Sequence, residues 1–190
     1  MNLTEDEIVG WSNGSQGGQE GKTLRADDVQ EKHAEYLDKC HNFREVFNLV
    51  KRSVKASLNL ERTGLMLFLA DMPYTVGAYH QIGTNNIVMN RILLDHVLGT
   101  AEATTEANSF IYSILTHEYL HALGYVDEAA TRELTYRVSR ETFGDTHLAT
   151  RMAASNPWQY IKPPPLGVPE LQRPASVVRD FEPPPFGYIS

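Results

Sequence analysis

Over the first third of the chain, apolar residues fall at three- and four-residue steps: Leu37, Cys40, Phe43, Val46, Phe47, Val50, Val54 and Leu58. No Pro or Gly interrupts residues 26–60, so the spacing predicts one long amphipathic helix whose apolar face packs on a core. Asp27 and Asp28 suit its first turn, where carboxylates meet the positive end of the helix dipole. Gly64 ends the pattern. Residues 65–70 are a continuous apolar run, closed by Pro73, which predicts a buried strand. Two short strands follow, near residues 76–82 and Asn86–Asn90, around a Gly-Thr-Asn-Asn turn.

Helical spacing then returns. "RILLDHVLG" predicts a short helix. Phe110, Ile111, Ile114 and Leu115 predict another, from about residue 107 to Gly124, which stands where a left-handed C-cap glycine belongs. Asp127 opens a helix to about Phe143 with Leu134 and Val138 on its inner face, and a last short helix is predicted over 146–154. From residue 156 the composition changes: every proline but Pro73 lies beyond it. "IKPPPLG" at 161–167 and "FEPPPFG" at 181–187 form an approximate repeat, and three consecutive prolines favour polyproline II. This tail is either disordered or docks its apolar residues Trp158, Tyr160, Leu166, Phe181, Phe186, Tyr188 and Ile189 on its own domain or on a partner. The expected organisation is a flexible segment 1–22, a single domain 23–155 and a Pro-rich extended tail 156–190.

Composition narrows the function classes. A formal charge of −7 argues against general affinity for nucleic acid or an anionic membrane, both of which reward Lys/Arg clusters. Cys40 is the sole cysteine, which excludes a disulfide within the chain and nearly excludes a Cys-based zinc site. The N-terminus has no basic region followed by an apolar run, and no segment approaches the roughly 20 apolar residues of a membrane span. The expectation is a soluble, cytoplasmic protein.

The chemistry concentrates in "SILTHEYLHALGYVDE", residues 113–128. Residues four apart share one helix face, so His117 and His121 can turn two imidazoles to a single ion, as tetrahedral zinc accepts. Glu118 projects beside that face, where it reaches a metal-bound water rather than the metal and can act as general base. Gly124 can turn the chain back under the ion. Asp127 can then be the third ligand, or simply the N-cap of the next helix.

"HEYLHALGYVD", His117 to Asp127, resembles the extended zinc motif of metzincin metallopeptidases, in the variant with Asp as last ligand. The resemblance implies an α+β zincin-like domain: a short mixed twisted sheet, a long backing helix and an active-site helix. It implies Zn2+ held by His117, His121 and Asp127, Glu118 as catalytic acid/base, and hydrolysis of a peptide or protein substrate. Two departures stand. Met152, the sole methionine after the motif, lies in a helical stretch rather than a tight turn, so the metzincin methionine role is not carried over. The helix after Asp127 resembles gluzincin metallopeptidases, which take a glutamate from a following helix; Glu141 is then the alternative third ligand, with Glu128 and Glu133 weaker candidates. The stretch is also similar to the YbeY-type endoribonucleases in its His pair, Leu120, Gly124 and Tyr125. It differs from them in having Glu118 in place of Gly and Asp127 in place of the third His.

In the peptidase reading an extended substrate lies along an exposed strand, for which Asn86–Asn90 is the expected one. Tyr119, Tyr125, Tyr136 and Tyr160 are possible donors to a developing oxyanion, though packing explains each. His80 can line a cleft, or be an ordinary strand histidine. Two other readings stand: a non-catalytic zincin-like protein that binds a partner through its Pro-rich tail, and a YbeY-like metal-dependent endoribonuclease.

Overall fold

The predicted long helix is two helices, α1 (Ala26–Asp38) and α2 (Phe43–Leu58). Asn42 caps α2 by accepting from the Glu45 N–H at 3.0 Å, and Glu45 reaches back to the His41 N–H. The buried Asn108 side chain donates to the Leu37 and Cys40 carbonyls and so satisfies the end of α1. The break is thus fixed by a residue far along the sequence. The computed structural model describes residues 25–163 and 173–182. The expected segment 1–22 and the tail residues Leu166, Phe186, Tyr188 and Ile189 lie outside the described residues.

Strands β1 (Met66–Ala70), β2 (Ala78–His80) and β3 (Asn86–Asn90) come next, then helices α3 (Arg91–Thr100), α4 (Thr104–Ala122), α5 (Glu128–Phe143) and α6 (Leu148–Ala154). A 3-10 helix (Pro157–Tyr160) and strand β4 (Ser176–Val177) complete an α+β architecture. The sheet order is β2-β3-β1-β4. β1 and β3 run parallel, with Leu67 opposite Ile87, while β2 and β4 are antiparallel to their neighbours.

This order corrects one expectation. Asn86–Asn90 is an interior strand with both sides hydrogen-bonded, so it has no edge to offer an extended chain; β2 is the edge strand. Asn90, fully buried at the end of β3, fixes what surrounds that edge. Its amide donates to the carbonyls of Met72, Pro73 and Val76, and its oxygen accepts from the Ile92 N–H at the start of α3. One side chain holds the loop before β2 and caps α3.

Helix α4 is the centre of the molecule and packs against α2, α5, α6 and β2. Phe47, Leu49, Val50, Val54, Leu67, Ile87, Tyr112, Leu115, Tyr119 and Leu120 form the main core beside it. Burying each such side chain contributes about 1.5–3 kcal/mol. A second cluster joins Leu93, Val97, Phe110 and Met152 to Trp158 and Ile161.

Residues 173–182 belong to this fold. β4 adds a strand to β1, and Phe181 is buried and stacked on Phe47, with ring centroids 4.3 Å apart. Glu182 pairs with Lys51 and accepts from the Leu65 N–H at 2.8 Å. Arg91 donates to the carbonyls of Leu69 and Pro174, and Asp71 bridges Arg91 and Arg173.

Candidate metal centre

Thirteen of the nineteen residues of α4 are buried, so its polar side chains have few directions in which to turn. His117 and His121 share one face and are partly exposed, with ring centroids 4.7 Å apart and Nε2 atoms 3.1 Å apart. The helix ends as its glycine requires. Gly124 has φ +104°, a conformation that side chains resist, and the chain reverses with Tyr125 N–H donating to the Leu120 carbonyl. That reversal brings the Tyr125 carbonyl to 2.6 Å from His121 Nδ1. A carbonyl only accepts, so Nδ1 carries a proton and Nε2 is the nitrogen turned to the site.

The same turn delivers α5. Asp127 is its N-cap, with the carboxylate accepting from the Ala130 N–H at 2.8 Å. The next residue, Glu128, meets the histidines: its two oxygens lie 3.4 Å from His117 Nε2 and 3.3 Å from His121 Nε2. His117, His121 and Glu128 thus form a group whose ligand atoms all lie within 4.8 Å of one another. Arg132, one turn along α5, holds Glu128 at 3.0 Å. Sequence reasoning gave Asp127 the third position and Glu128 a lesser one. The structure puts Asp127 on its own helix end and Glu128 beside the imidazoles.

Glu141 lies thirteen residues further along α5, about 20 Å at helical rise, and pairs with Arg137 at 2.9 Å. Glu133 is exposed and turned roughly 140° round α5 from Glu128. Met152 is buried in the second core cluster. Tyr119 exchanges hydrogen bonds with the main chain of Arg62, while Tyr136 and Tyr160 lie under the guanidinium groups of Arg140 and Arg151.

Burial shapes the charges. It pulls His117 below the ordinary histidine value; Glu128 opposes this and His121 adds to it. His117 is therefore neutral near pH 7. Two imidazole nitrogens and a carboxylate facing one point form a donor set that could hold a cation. Ligands about 2.0–2.1 Å from a tetrahedral zinc lie roughly 3.3–3.4 Å apart. Each nitrogen lies at that spacing from a different Glu128 oxygen, Oε1 for His117 and Oε2 for His121, and the nitrogen pair is slightly closer.

Glu118 stands beside this group with only 5% of its surface exposed. Burial pushes its carboxyl up to about 8, against a hydrogen bond from the His80 main chain and with a further rise from Glu128. Among the described residues its Oε2 has no hydrogen-bond partner. An unpartnered buried carboxylate oxygen is costly, about 1–3 kcal/mol or more, and marks a place where a proton, water or ion belongs.

His80 places this chemistry against the sheet edge. Asn90 N–H bonds to the Gly77 carbonyl, so Gly77 and Tyr79 turn their main-chain groups toward β3. Ala78 and His80 turn theirs outward, and the His80 N–H meets Glu118. The His80 ring lies 3.0 Å from the Asn86 carbonyl. Arg62 ties the hairpin to α4 by donating to the carbonyls of Thr84 and Ala122.

No protein-family model matches this chain, and neither a curated protein nor a solved structure matches it. Among the described residues, no helix is long and apolar enough to cross a membrane.

Proposed function

We propose that this chain is a zinc-dependent endopeptidase of the zincin type, with His117, His121 and Glu128 as ligands and Glu118 as general base. The carrying observation is the convergence of three ligand side chains beside a buried carboxylate oxygen that lacks a partner. Zinc bound there would bring the pKa of its water toward neutrality and polarise the scissile carbonyl. Glu118 would serve as the base that accepts a proton from the attacking water and returns it to the leaving amine. Without metal, a carboxyl raised to about 8 is largely protonated at pH 7; a divalent charge beside it favours the ionised form that a base needs.

The substrate is an extended peptide or protein segment added to the outer edge of β2. There the outward N–H and C=O of Ala78 and the C=O of His80 make the main-chain hydrogen bonds. A chain of net charge −7 favours such a substrate over a polyanion. The long, partly exposed Glu128 leaves the ion reachable from solvent.

The test is zinc content and hydrolysis on the same preparation. We expect one zinc per chain, lost in His121→Ala, and Glu118→Gln that keeps its zinc while hydrolysis falls by at least about a hundredfold. Full activity in Glu118→Gln, or a zinc content indifferent to His121→Ala, removes the reading.

A further inference from the structure

A cavity of about 290 Å³ lies against the loop before β2, lined by Tyr74, Thr75, Leu93, Trp158, Ile161 and Pro163. Its wall is largely apolar. At the lower end of ligand-pocket volumes, about 300–1,000 Å³, it suits one large side chain better than a cofactor.

Its place along β2 ties it to the metal centre. A Cβ on Gly77 would lie 3.2 Å from Ile114 and 3.4 Å from Trp158, so the Trp158 wall abuts the start of β2 and α4 together. Ile114 sits one helical turn before Glu118. At the far end of β2, which packs on α4, the His80 main chain lies near Glu118. The chain therefore runs from Gly77, beside the cavity-lining Trp158, to His80, beside the base. These residues are three apart, about 10 Å in extended chain, which is two or three residues of a peptide lying on that edge.

We propose that this cavity binds an apolar side chain, of the size of Leu or Phe, two or three residues from the scissile bond of an extended peptide. The proposal rests on the peptidase reading and adds to it the class of substrate. Glycine at 77 fits the same picture, because a side chain there would crowd Trp158 and Ile114 and narrow the passage between cavity and base.

The experiment uses the zinc-loaded full chain and peptides carrying Leu, Phe, Ala or Asp at each of three positions on either side of a cleavable bond. Leu or Phe over Ala should raise kcat/KM by roughly 10–200-fold at one position two or three residues from that bond. Thr75 is exposed on the rim, so Thr75→Trp fills the cavity without removing a core contact. It should abolish that preference, so that the Leu, Phe and Ala peptides give kcat/KM values within about twofold of one another. A second readout is binding. In Glu118→Gln with Trp11→Phe, the Leu peptide should shift Trp158 emission to the blue and the Ala peptide should not. Cleavage without an apolar preference, or a preference that survives Thr75→Trp, overturns this proposal and leaves the peptidase reading standing. No cleavage of any peptide by zinc-loaded wild type overturns both.

Discussion

Replacing two adjacent acids separates two roles that the sequence alone leaves merged. Glu128→Gln removes a carboxylate lying 3.3–3.4 Å from both imidazole nitrogens. Loss of even an outer-shell partner weakens metal binding about 10–100-fold, so loss of a ligand should raise the zinc Kd at least about 100-fold, or about 2.7 kcal/mol. Metal-free stability should hardly change: the side chain is 55% exposed and its pair with Arg132 is a surface pair of about 0.5 kcal/mol or less. Asp127→Ala has the opposite signature. It removes the N-cap of α5, about 1 kcal/mol, and lowers Tm by roughly 2–4 °C in a chain of this size. Its zinc Kd should stay within about threefold. Competition with a chromophoric chelator gives the first quantity and calorimetry on the metal-free protein the second. If Asp127→Ala abolishes zinc binding while Glu128→Gln leaves it intact, the ligand set drawn from the geometry is wrong.

Phe181→Ala should destabilise by about 3–5 kcal/mol and lower Tm by roughly 6–20 °C, because Phe181 is 3% exposed and stacked on Phe47; a drop under about 3 °C would mean that residues 173–182 do not dock. Asn90→Ala should cost about 1–3 kcal/mol in a denaturant titration, since it removes a fully buried amide that donates to the carbonyls of Met72, Pro73 and Val76; a midpoint unchanged from wild type would refute that role. Burial opposes ionisation of Asp71, but hydrogen bonds and charge from Arg173, with the charge of Arg91, outweigh it and hold its carboxyl below the ordinary aspartate value of 3.8. A folded-state pKa below the unfolded one gives stability that is present above pH 3.8 and lost as pH falls through the folded value. The Tm gap between wild type and Asp71→Asn should therefore be wide at pH 7 and narrow at pH 2.5; a gap independent of pH would refute the ion network as its source.

Local spacing carried most of what the sequence could say. His117 and His121 face together because four residues make about one helical turn, and no distant contact is needed for that. Gly124 ended its helix for the same local reason, with the positive φ that favours glycine. What escaped depended on partners far along the chain. The break between α1 and α2 is held by Asn108, and Asn42 with Glu45 was its one local signal. β4 hides in a proline-rich stretch and forms because Phe68 and Leu69 offer it an edge. The interior place of β3 follows from β1 pairing on its far side, which strand order in the sequence does not reveal.

Asp127 and Glu128 show how one residue of offset arises. An N-cap needs a short side chain that curls back onto its own helix, and Asp127 does so onto the Ala130 N–H. A carboxylate so engaged points along α5 rather than back toward α4. The next position is the first of the helix, where a carboxylate also meets the positive end of the dipole. The extra methylene of Glu128 lets it span the gap to His117 and His121, while Arg132 holds it from the following turn. Under the proposed ligand set, cap and ligand would demand different lengths at neighbouring positions, and the order Asp-Glu would meet both demands. Exchanging the two residues keeps composition and charge constant, yet should lose zinc affinity, because the shorter side chain would stand where reach is needed. Retained affinity in the exchanged protein would mean that the Gly124 turn can shift by a residue, and that the offset is set by the turn rather than by side-chain length.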